Sequence, residues 1–260
     1  MKIGMFDSGI GGLTVLAKAL ELMPDAEYLY YADPDNAPYG TKTIDQVKEY
    51  SDRAISFLIS LGAEAVVIAC NTATSAAASY LRDKYPIPII GVEPAVKPAV
   101  AMCEGKHVLV LATPLTVREK KLHDLIDRVD NAGAVDLLAM PELVGHAEKA
   151  DFDSDELKEY VEKTLEGFFA ENQRTASDYS VVVFGCTHFN HFKTVLEPFF
   201  EKNTAFIDGA EGTVKNMMNI TAGKRLSDPA DRGIRYFESG REVTERDKLD
   251  LYEMLLAHLK

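Results

Sequence analysis

The chain is poor in cysteine, in basic residues and in long apolar runs. Its 260 residues include three cysteines and no tryptophan, and 28 lysines and arginines stand against 41 aspartates and glutamates, for a formal net charge of −13. Because nucleic acids and anionic membrane surfaces attract basic proteins, this charge argues against either as the main partner. An odd and small number of cysteines is atypical of a disulfide scaffold and indicates a reducing compartment.

Sequence features of membrane insertion and secretion are also missing. No apolar segment approaches the length needed to cross a bilayer, and Met1–Asp7 lacks the apolar stretch of a secretory signal. We therefore expect a cytoplasmic protein that binds neither nucleic acid nor membrane. With 47% hydrophobic residues, the chain is long enough for one large α/β domain or two smaller ones.

The common signatures of metal, dinucleotide and phosphate binding are absent as well. The chain has no Cys-x-x-Cys pair, Thr14 stands where a dinucleotide-binding loop has its third glycine, and no Gly-Lys-Ser/Thr follows that loop. Cys186, His188 and His191 are possible metal ligands by residue type, but their spacing is not that of a metal site. We predict no metal and no cofactor.

Apolar β-branched runs alternate with helix-like segments, which is the pattern of parallel βαβ units. The pattern starts at Lys2–Phe6 and restarts at His107–Ala112, after a crossing near residue 93 that is marked by prolines. We therefore predict an α/β fold with two domains, the first formed by residues 1–92 with the tail 207–260 and the second by residues 93–206.

Two helices of the second domain have local signals of their own. The sequence predicts a continuous Arg/Lys-rich helix over Val117–Val129. A second helix is predicted from about Ser154 to Phe169, with Asp153 and Glu156 as a capping box at its start.

Two of the three cysteines occupy matching contexts. Cys70 and Cys186 each follow an apolar β-branched run and are each followed at once by hydroxyl and amide residues. Such runs predict buried parallel strands, and the carboxyl ends of such strands are where α/β folds bind ligands. A lone cysteine there is more often a small buried hydrophobe, but two opposed thiols form an acid and a base. Cys103 has no such context and receives no role.

Other polar residues are predicted at the same edge. Asp7 and Ser8 follow the first strand and open a glycine-rich turn into the first helix. The segment Pro38–Gly40 is typical of a turn, and it follows the second strand at that edge. His188, next to Cys186, is suited to stabilising a thiolate or carrying a proton.

Together these segments resemble the glutamate racemases of the cofactor-independent aspartate/glutamate racemase superfamily. The likeness runs nearly end to end and rests on Phe6–Val15, Pro38–Gly40, Ala69–Thr74, Gly91–Pro94 and Gly185–Phe189. It implies two pseudo-symmetric parallel-sheet α/β domains with the active site in the cleft between them. It also implies a homodimer that interconverts L- and D-glutamate without a cofactor and supplies D-glutamate for peptidoglycan synthesis.

The resemblance further implies roles for individual residues. The catalytic residues it implies are the thiols Cys70 and Cys186, their assistants Asp7 and His188, and Glu148 as a second helper. The substrate-binding residues it implies are Asp7, Ser8, Tyr39, Gly40, Asn71, Thr72, Thr187 and His188. Read without the resemblance, Glu148 lies in a charged stretch typical of a solvent-exposed face. The chain departs from the family pattern at Ala32–Asn36, usually a Gly-Asp-Thr-like stretch, and at Gly145-His146.

Three other functions remain open on the residues. The chain could be a racemase of aspartate or another amino acid, a non-catalytic module that holds a small anion, or an acyl-transfer enzyme that uses Cys70 or Cys186 with His188. Solvent deuterium separates the classes, because a racemase introduces it at Cα from either enantiomer, whereas a binding module or an acyl transferase does not.

Overall fold

The computed structural model describes residues 1–223 and 233–259. The chain forms two compact units, one of Met1–Glu93 with Ala210–Lys260 and one of Pro94–Gly209. The chain was expected to return to the first domain after residue 206, whereas the observed return follows Gly209. The difference arises because the strand Ala205–Asp208 pairs along its whole length with a strand of the second unit.

Strands and helices alternate through most of the chain. The strands are β1 (Lys2–Phe6), β2 (Glu27–Ala32), β3 (Ala65–Ile68), β4 (Ile89–Gly91), β5 (His107–Ala112), β6 (Val135–Ala139), β7 (Tyr179–Phe184), β8 (Ala205–Asp208), β9 (Gly233–Glu238) and β10 (Arg241–Glu242). The helices are α1 (Leu13–Leu22), α2 (Ile44–Ser60), α3 (Asn71–Lys84), α4 (Val96–Met102), α5 (Pro114–Arg118), α6 (Lys120–Val129), α7 (Glu142–Glu148), α8 (Asp155–Glu171), α9 (Lys193–Leu196), α10 (Ala210–Ile220) and α11 (Arg246–His258).

Four neighbouring strands of the first sheet have the same order as the four strands of the second sheet. The first sheet runs β10-β9-β2-β1-β3-β4 and the second runs β6-β5-β7-β8. In each unit the first strand in chain order lies between the second and the third, and the fourth pairs with the third. All described pairings are parallel except that of β10 with β9. The predicted α/β class, built on parallel sheets in two units, is confirmed.

Helices cover the sheets, which explains why the central strands are apolar without alternation. In the first unit β3 is buried along its whole length, α2 packs on α3, and α1 packs on α10 and α11. In the second unit α4 and α6 cover one face through Val96, Ala99 and Leu122, against apolar side chains of β5 and β7. In residues 1–223 and 233–259 we find no helix long and apolar enough to cross a membrane.

Local hydrogen bonding corrects two expectations about helices. The helix predicted over Val117–Val129 is split into α5 and α6, because Glu119 takes an extended conformation between them. The predicted capping box at Asp153 is wrong: Ser154 caps α8 by accepting a hydrogen bond from the Leu157 N–H at 3.2 Å. Asp153 pairs with Lys158 instead.

A prediction about stability follows from the packing of β4 on α3. A Cβ added at Gly91 would lie 2.4 Å from Thr74 Cγ2. Thr74 is poorly able to move, because its hydroxyl donates to the Ile68 carbonyl at 3.1 Å. We expect Gly91→Ala to lower the free energy of unfolding by about 1–3 kcal/mol in urea titrations, as overpacking does.

The matched control is Gly167→Ala on the exposed side of α8. A Cβ added there meets no heavy atom of the described chain within 4 Å. Because alanine favours helix over glycine, this change should raise the free energy of unfolding by up to about 1 kcal/mol. Equal effects of the two substitutions would contradict the packing argument.

Candidate functional site

Equivalent strand ends of the two sheets bear the candidate residues. In the first unit Asp7 directly follows β1 and Cys70 lies two residues after the neighbouring β3. In the second unit Thr113 directly follows β5 and Cys186 lies two residues after the neighbouring β7. The first and third strands flank the point where the strand order reverses, which is where open α/β sheets bind ligands.

Asp7 is held by a turn that requires glycine. Its carboxylate is fully buried and accepts a hydrogen bond from the Gly9 N–H at 2.8 Å. The Tyr30 hydroxyl donates to the Gly9 carbonyl at 2.7 Å. A Cβ at Gly12 would lie 2.5 Å from Asp7 Cβ and 3.0 Å from that hydroxyl. Glycine at position 12 therefore permits the close approach of α1 to Asp7.

Cys70 occupies the N-cap position of α3. Its sulfur accepts a hydrogen bond from the Ala73 N–H at 3.4 Å, and its thiol donates to Ser8 Oγ at 3.6 Å. The N-terminus of a helix carries a partial positive charge, which favours a thiolate over a thiol. The structure thus places Cys70 and Ser8 in direct contact, with Asp7 next to Ser8 in the chain.

Asn71 and Thr72 form the first turn of α3 and are both buried. No described residue accepts a hydrogen bond from Asn71 Nδ2, although this nitrogen is shielded from solvent. A buried donor without a protein acceptor is unusual and needs an explanation. Beside a candidate catalytic thiol, an amide of this kind is suited to donating to a carboxylate of a ligand.

Cys186, His188 and Glu148 form a connected group in the second unit. Cys186 precedes a 3-10 turn, Thr187–Phe192, that carries His188. The distance from Cys186 Sγ to His188 Nδ1 is 3.7 Å, and that from His188 Nε2 to Glu148 Oε1 is 2.6 Å. Glu148 ends α7 and directs its partly buried carboxylate at the histidine, unlike the solvent-exposed residue that its charged neighbourhood indicates.

The electrostatic setting of His188 favours its protonated form. Burial opposes a charge on the ring, but the contacts with Cys186 and Glu148 outweigh burial and raise the pKa of His188 well above its usual value. In a protonated imidazole both ring nitrogens are donors, so Nδ1 can donate to the Cys186 sulfur while Nε2 donates to the Glu148 carboxylate. A protonated His188 thus places a donor and a positive charge next to the sulfur of Cys186.

The sequence did not single out two buried threonines at the same edge of the second sheet. Thr113 Oγ1 donates to Thr116 Oγ1 at 3.0 Å and accepts a hydrogen bond from the Thr116 N–H at 3.3 Å. A signal for them exists, because Thr113 follows the first strand of its unit as Asp7 follows β1. Their hydroxyls can accept and donate hydrogen bonds to a ligand.

Tyr39 and Gly40 lie in a buried 3-10 turn, Tyr39–Thr41, after β2. The Tyr39 hydroxyl donates to Asp33 Oδ2 at 2.7 Å. Burial, followed by the nearby Asp33 carboxylate, raises the pKa of Tyr39 far above its usual value, so the hydroxyl remains a donor. That hydroxyl is therefore committed to Asp33 in this structure.

The residues weighed as alternatives pack against carbonyl, apolar or aromatic groups. The Cys103 thiol donates to the Val100 carbonyl at 3.2 Å and belongs to the apolar core of the second unit. His191 stacks on Phe152 with ring centroids 5.0 Å apart. Across the described residues, no three or more His, Cys, Asp or Glu side chains are grouped as a set of metal ligands.

Comparison with known proteins places this geometry in a family. A family profile described as Asp/Glu/Hydantoin racemase matches residues 13–217. The glutamate racemase of Lachnospira eligens is 45% identical over 249 residues, which are 94% of this chain and 92% of the relative. Glutamate racemase 2 of Bacillus subtilis is 43% identical over 257 residues, covering 98% and 95% of the two chains.

A solved structure shows the same architecture. Escherichia coli glutamate racemase, in complex with L-glutamate and the activator UDP-MurNAc-Ala, matches with a TM-score of 0.83 at 26% identity, covering 99% of this chain and 94% of that chain. The family profile and the close, nearly full-length relatives show that this chain belongs to the Asp/Glu/hydantoin racemase family.

Proposed function

We propose that the protein interconverts L- and D-glutamate by moving a proton at Cα with two thiols. The observation that carries this proposal is the pair Cys70 and Cys186, each two residues beyond the third strand of its own sheet and each beside a group that stabilises negative charge on sulfur. Glutamate is the substrate named for relatives 45% and 43% identical over nearly the whole chain.

The reaction needs a base on one face of Cα and an acid on the other. A thiolate takes the Cα proton and becomes a thiol, while the opposite thiol gives its proton to the carbanion and becomes a thiolate. The Cα–H bond is a very weak acid, so hydrogen-bond donors must stabilise the negative charge that moves onto the substrate carboxylate. An unperturbed thiol pKa of about 8.5 is close enough to neutrality for both forms to be used.

The two sulfurs have different assistants in this proposal. Asp7 assists Cys70, and His188 with Glu148 assists Cys186. By family likeness, Cys70 removes the proton from D-glutamate and Cys186 removes it from L-glutamate. The contact of His188 with both Cys186 and Glu148 supports the assistant role of this pair.

The substrate is held in this proposal by groups that need no net positive charge. The proposed holders are Asp7, Ser8, Tyr39, Gly40, Asn71, Thr72, Thr187 and His188, joined by Thr113 and Thr116. The shielded Asn71 amide supports this role for the first turn of α3. Since the Tyr39 hydroxyl donates to Asp33, we assign the contribution of Tyr39 and Gly40 to their main chain.

Family likeness extends the proposal to the cell. The enzyme works without a cofactor, as a cytoplasmic homodimer, and supplies D-glutamate for peptidoglycan synthesis. The nearest competing function is racemisation of aspartate, and the names of the relatives favour glutamate over it.

The proposal predicts racemisation by the purified protein alone. Without added cofactor or metal, it should convert either glutamate enantiomer into the other and introduce solvent deuterium at Cα, measured by circular dichroism and NMR. Dialysis against EDTA should leave the rate unchanged. A rate lost in EDTA and restored by a metal would contradict the mechanism, and equal rates with aspartate would favour the competing racemase.

A second prediction separates the two sulfurs. Serine is a far weaker acid than cysteine, so Cys70→Ser and Cys186→Ser should each lower racemisation by about 10²–10⁴-fold in both directions. A glutamate analogue that eliminates a leaving group after deprotonation needs only the base. Cys186→Ser should therefore still process the D-form of this analogue, and Cys70→Ser the L-form.

The matched control for these variants is Cys103→Ser, which alters a thiol that donates to a carbonyl in the core. It should retain racemisation. If both site variants lose both eliminations equally, or if Cys103→Ser loses racemisation as they do, the two-thiol mechanism is wrong.

A third prediction concerns pH. The Glu148 contact helps to raise the pKa of His188, so Glu148→Gln should lower that pKa, and the ring should lose its proton at a lower pH. If protonated His188 supports Cys186, the alkaline limb of the kcat/KM profile should move to lower pH. Glu142→Gln, on the exposed side of the same helix, is the control and should leave that limb in place. An unmoved limb in Glu148→Gln would remove Glu148 from the mechanism.

A further inference from the structure

Asp33 directly follows β2, and its buried carboxylate accepts several hydrogen bonds. Its side chain accepts from the Tyr39 hydroxyl at 2.7 Å, from Asn36 Nδ2 at 3.0 Å, and from the Ser239 hydroxyl at 2.7 Å. It is only 2% exposed. Since a buried carboxylate is stable only when its oxygens accept hydrogen bonds, these donors and Asp33 constrain one another.

Two of the three donors belong to the loop that Asp33 begins. The main-chain N–H groups of Asn36 and Ala37 donate to the Asp33 carbonyl at 3.1 and 3.0 Å. These local bonds shape the segment between β2 and the 3-10 turn of Tyr39–Thr41. These hydrogen bonds do not tie that segment to the rest of the first unit, because all their partners lie within it. The Tyr39 ring does contact the rest of the unit, with its centroid 6.0 Å from that of Phe6 and 5.7 Å from that of Tyr50.

Ser239, from a distant part of the sequence, joins this loop to another element of the first unit by hydrogen bonds. It lies in the turn between β9 and β10, and its hydroxyl reaches an Asp33 that is 206 positions away. Its main-chain N–H donates to the Ala32 carbonyl at 2.9 Å, and its Oγ accepts from the Asp35 N–H at 3.2 Å. The pairing of β9 with β2 places this turn beside the end of β2. Ser239 therefore makes three hydrogen bonds to the segment Ala32–Asp35 at the start of the loop.

A second link joins the same hairpin to the same loop but differs in its surroundings. Arg241 pairs with Asp35 at 2.9 Å, and both side chains are more than half exposed. Exposed ion pairs of this kind contribute little. The hydroxyl–carboxylate contact of Ser239 with Asp33 is partly buried and charge-assisted, so it controls the position of the loop more strongly than the exposed ion pair does.

We propose that Ser239 is a positioning residue that holds the Tyr39–Gly40 turn in place through Asp33. Ser239 does not touch the substrate; it orients Asp33, which in turn orients Tyr39 and the main chain of the turn. This inference rests on the proposed function in that Tyr39 and Gly40 belong to the substrate-binding set. It also makes the C-terminal hairpin part of the machinery that holds glutamate.

The test uses Ser239→Ala and Ser239→Gly in the full-length protein. The residue has a φ of +45°, a region that glycine tolerates better than alanine or serine. Backbone strain therefore separates the two variants, whereas loss of the hydroxyl is common to both. Each should raise KM for glutamate about three- to tenfold and leave kcat nearly unchanged, because a binding contact rather than the chemistry is weakened.

Two controls isolate the route through Asp33 and Tyr39. Arg241→Ala removes the exposed link of the same hairpin and should leave KM unchanged. In a Tyr39→Phe background the further rise in KM caused by Ser239→Ala should largely disappear, because both changes disrupt one chain of contacts. Additive effects, an unchanged KM in both Ser239 variants, or an equal rise in Arg241→Ala would overturn the inference.

A measurement that does not depend on activity keeps the inference separate from the proposed function. Hydrogen–deuterium exchange of the amides of Asn36, Ala37 and Lys42, which are hydrogen-bonded within the loop, should be faster in both Ser239 variants and unchanged in Arg241→Ala. Unchanged exchange in the Ser239 variants would refute the positioning role. If exchange in the loop is faster in the Ser239 variants but the wild-type protein does not racemise glutamate, only the proposed function is refuted.

Discussion

A buried sulfur carries negative charge only where nearby groups supply hydrogen-bond donors or positive charge. Cys70 and Cys186 are both buried, and the two units satisfy this requirement by different means. Cys70 uses the N-terminus of α3, through the Ala73 N–H. Cys186 precedes a short 3-10 turn and has the His188 ring instead, which Glu148 helps to keep protonated. Two similar sheets thus support their sulfurs with different chemistry.

The same local means explain how an acidic chain can hold an anion. A net charge of −13 opposes the approach of glutamate at long range, but screening by salt weakens this repulsion. At short range, fixed donors such as the Asn71 amide and the main chain of the first turn of α3 are able to offset this repulsion, as the proposed function requires. The close approach of Gly12 to Asp7 supports an acceptor instead, the buried Asp7 carboxylate.

Much of the architecture is local and could therefore be predicted from the sequence. The bounds of β1 and β5 agree with the expected segments, because apolar periodicity and flanking turn residues are local signals. The position of Cys70 and Cys186 after the third strand of each unit follows from the same signals. The break at Glu119 is a local change of main-chain conformation, and the Ser154 cap stands in place of its neighbour Asp153; apolar periodicity resolves neither.

Long-range contacts could not be predicted in this way. Glu148 lies 40 positions from His188, and its sequence neighbourhood resembles a solvated helix face. Ser239 lies 206 positions from Asp33, in a tail whose strands become visible only through the pairing of β9 with β2. Neither pair has a motif, since what joins the partners is the strand order of the sheet or the packing of α7 against the 3-10 turn. Only the likeness to known racemases pointed to Glu148, and nothing pointed to Ser239.

Thermodynamics limits which kinetic constants can reflect the different surroundings of the two sulfurs. Enantiomers have equal free energies, so a glutamate racemase must have the same kcat/KM for L- and D-glutamate, whatever surrounds each thiol. The difference between the helix terminus at Cys70 and the histidine at Cys186 can therefore appear only in kcat and KM taken separately, and in which proton transfer limits the rate. Any change in the stability of one thiolate, such as the change that His188 causes, therefore alters kcat/KM for both directions by the same factor. Different surroundings of the two sulfurs are thus compatible with a reaction that has equal kcat/KM in both directions.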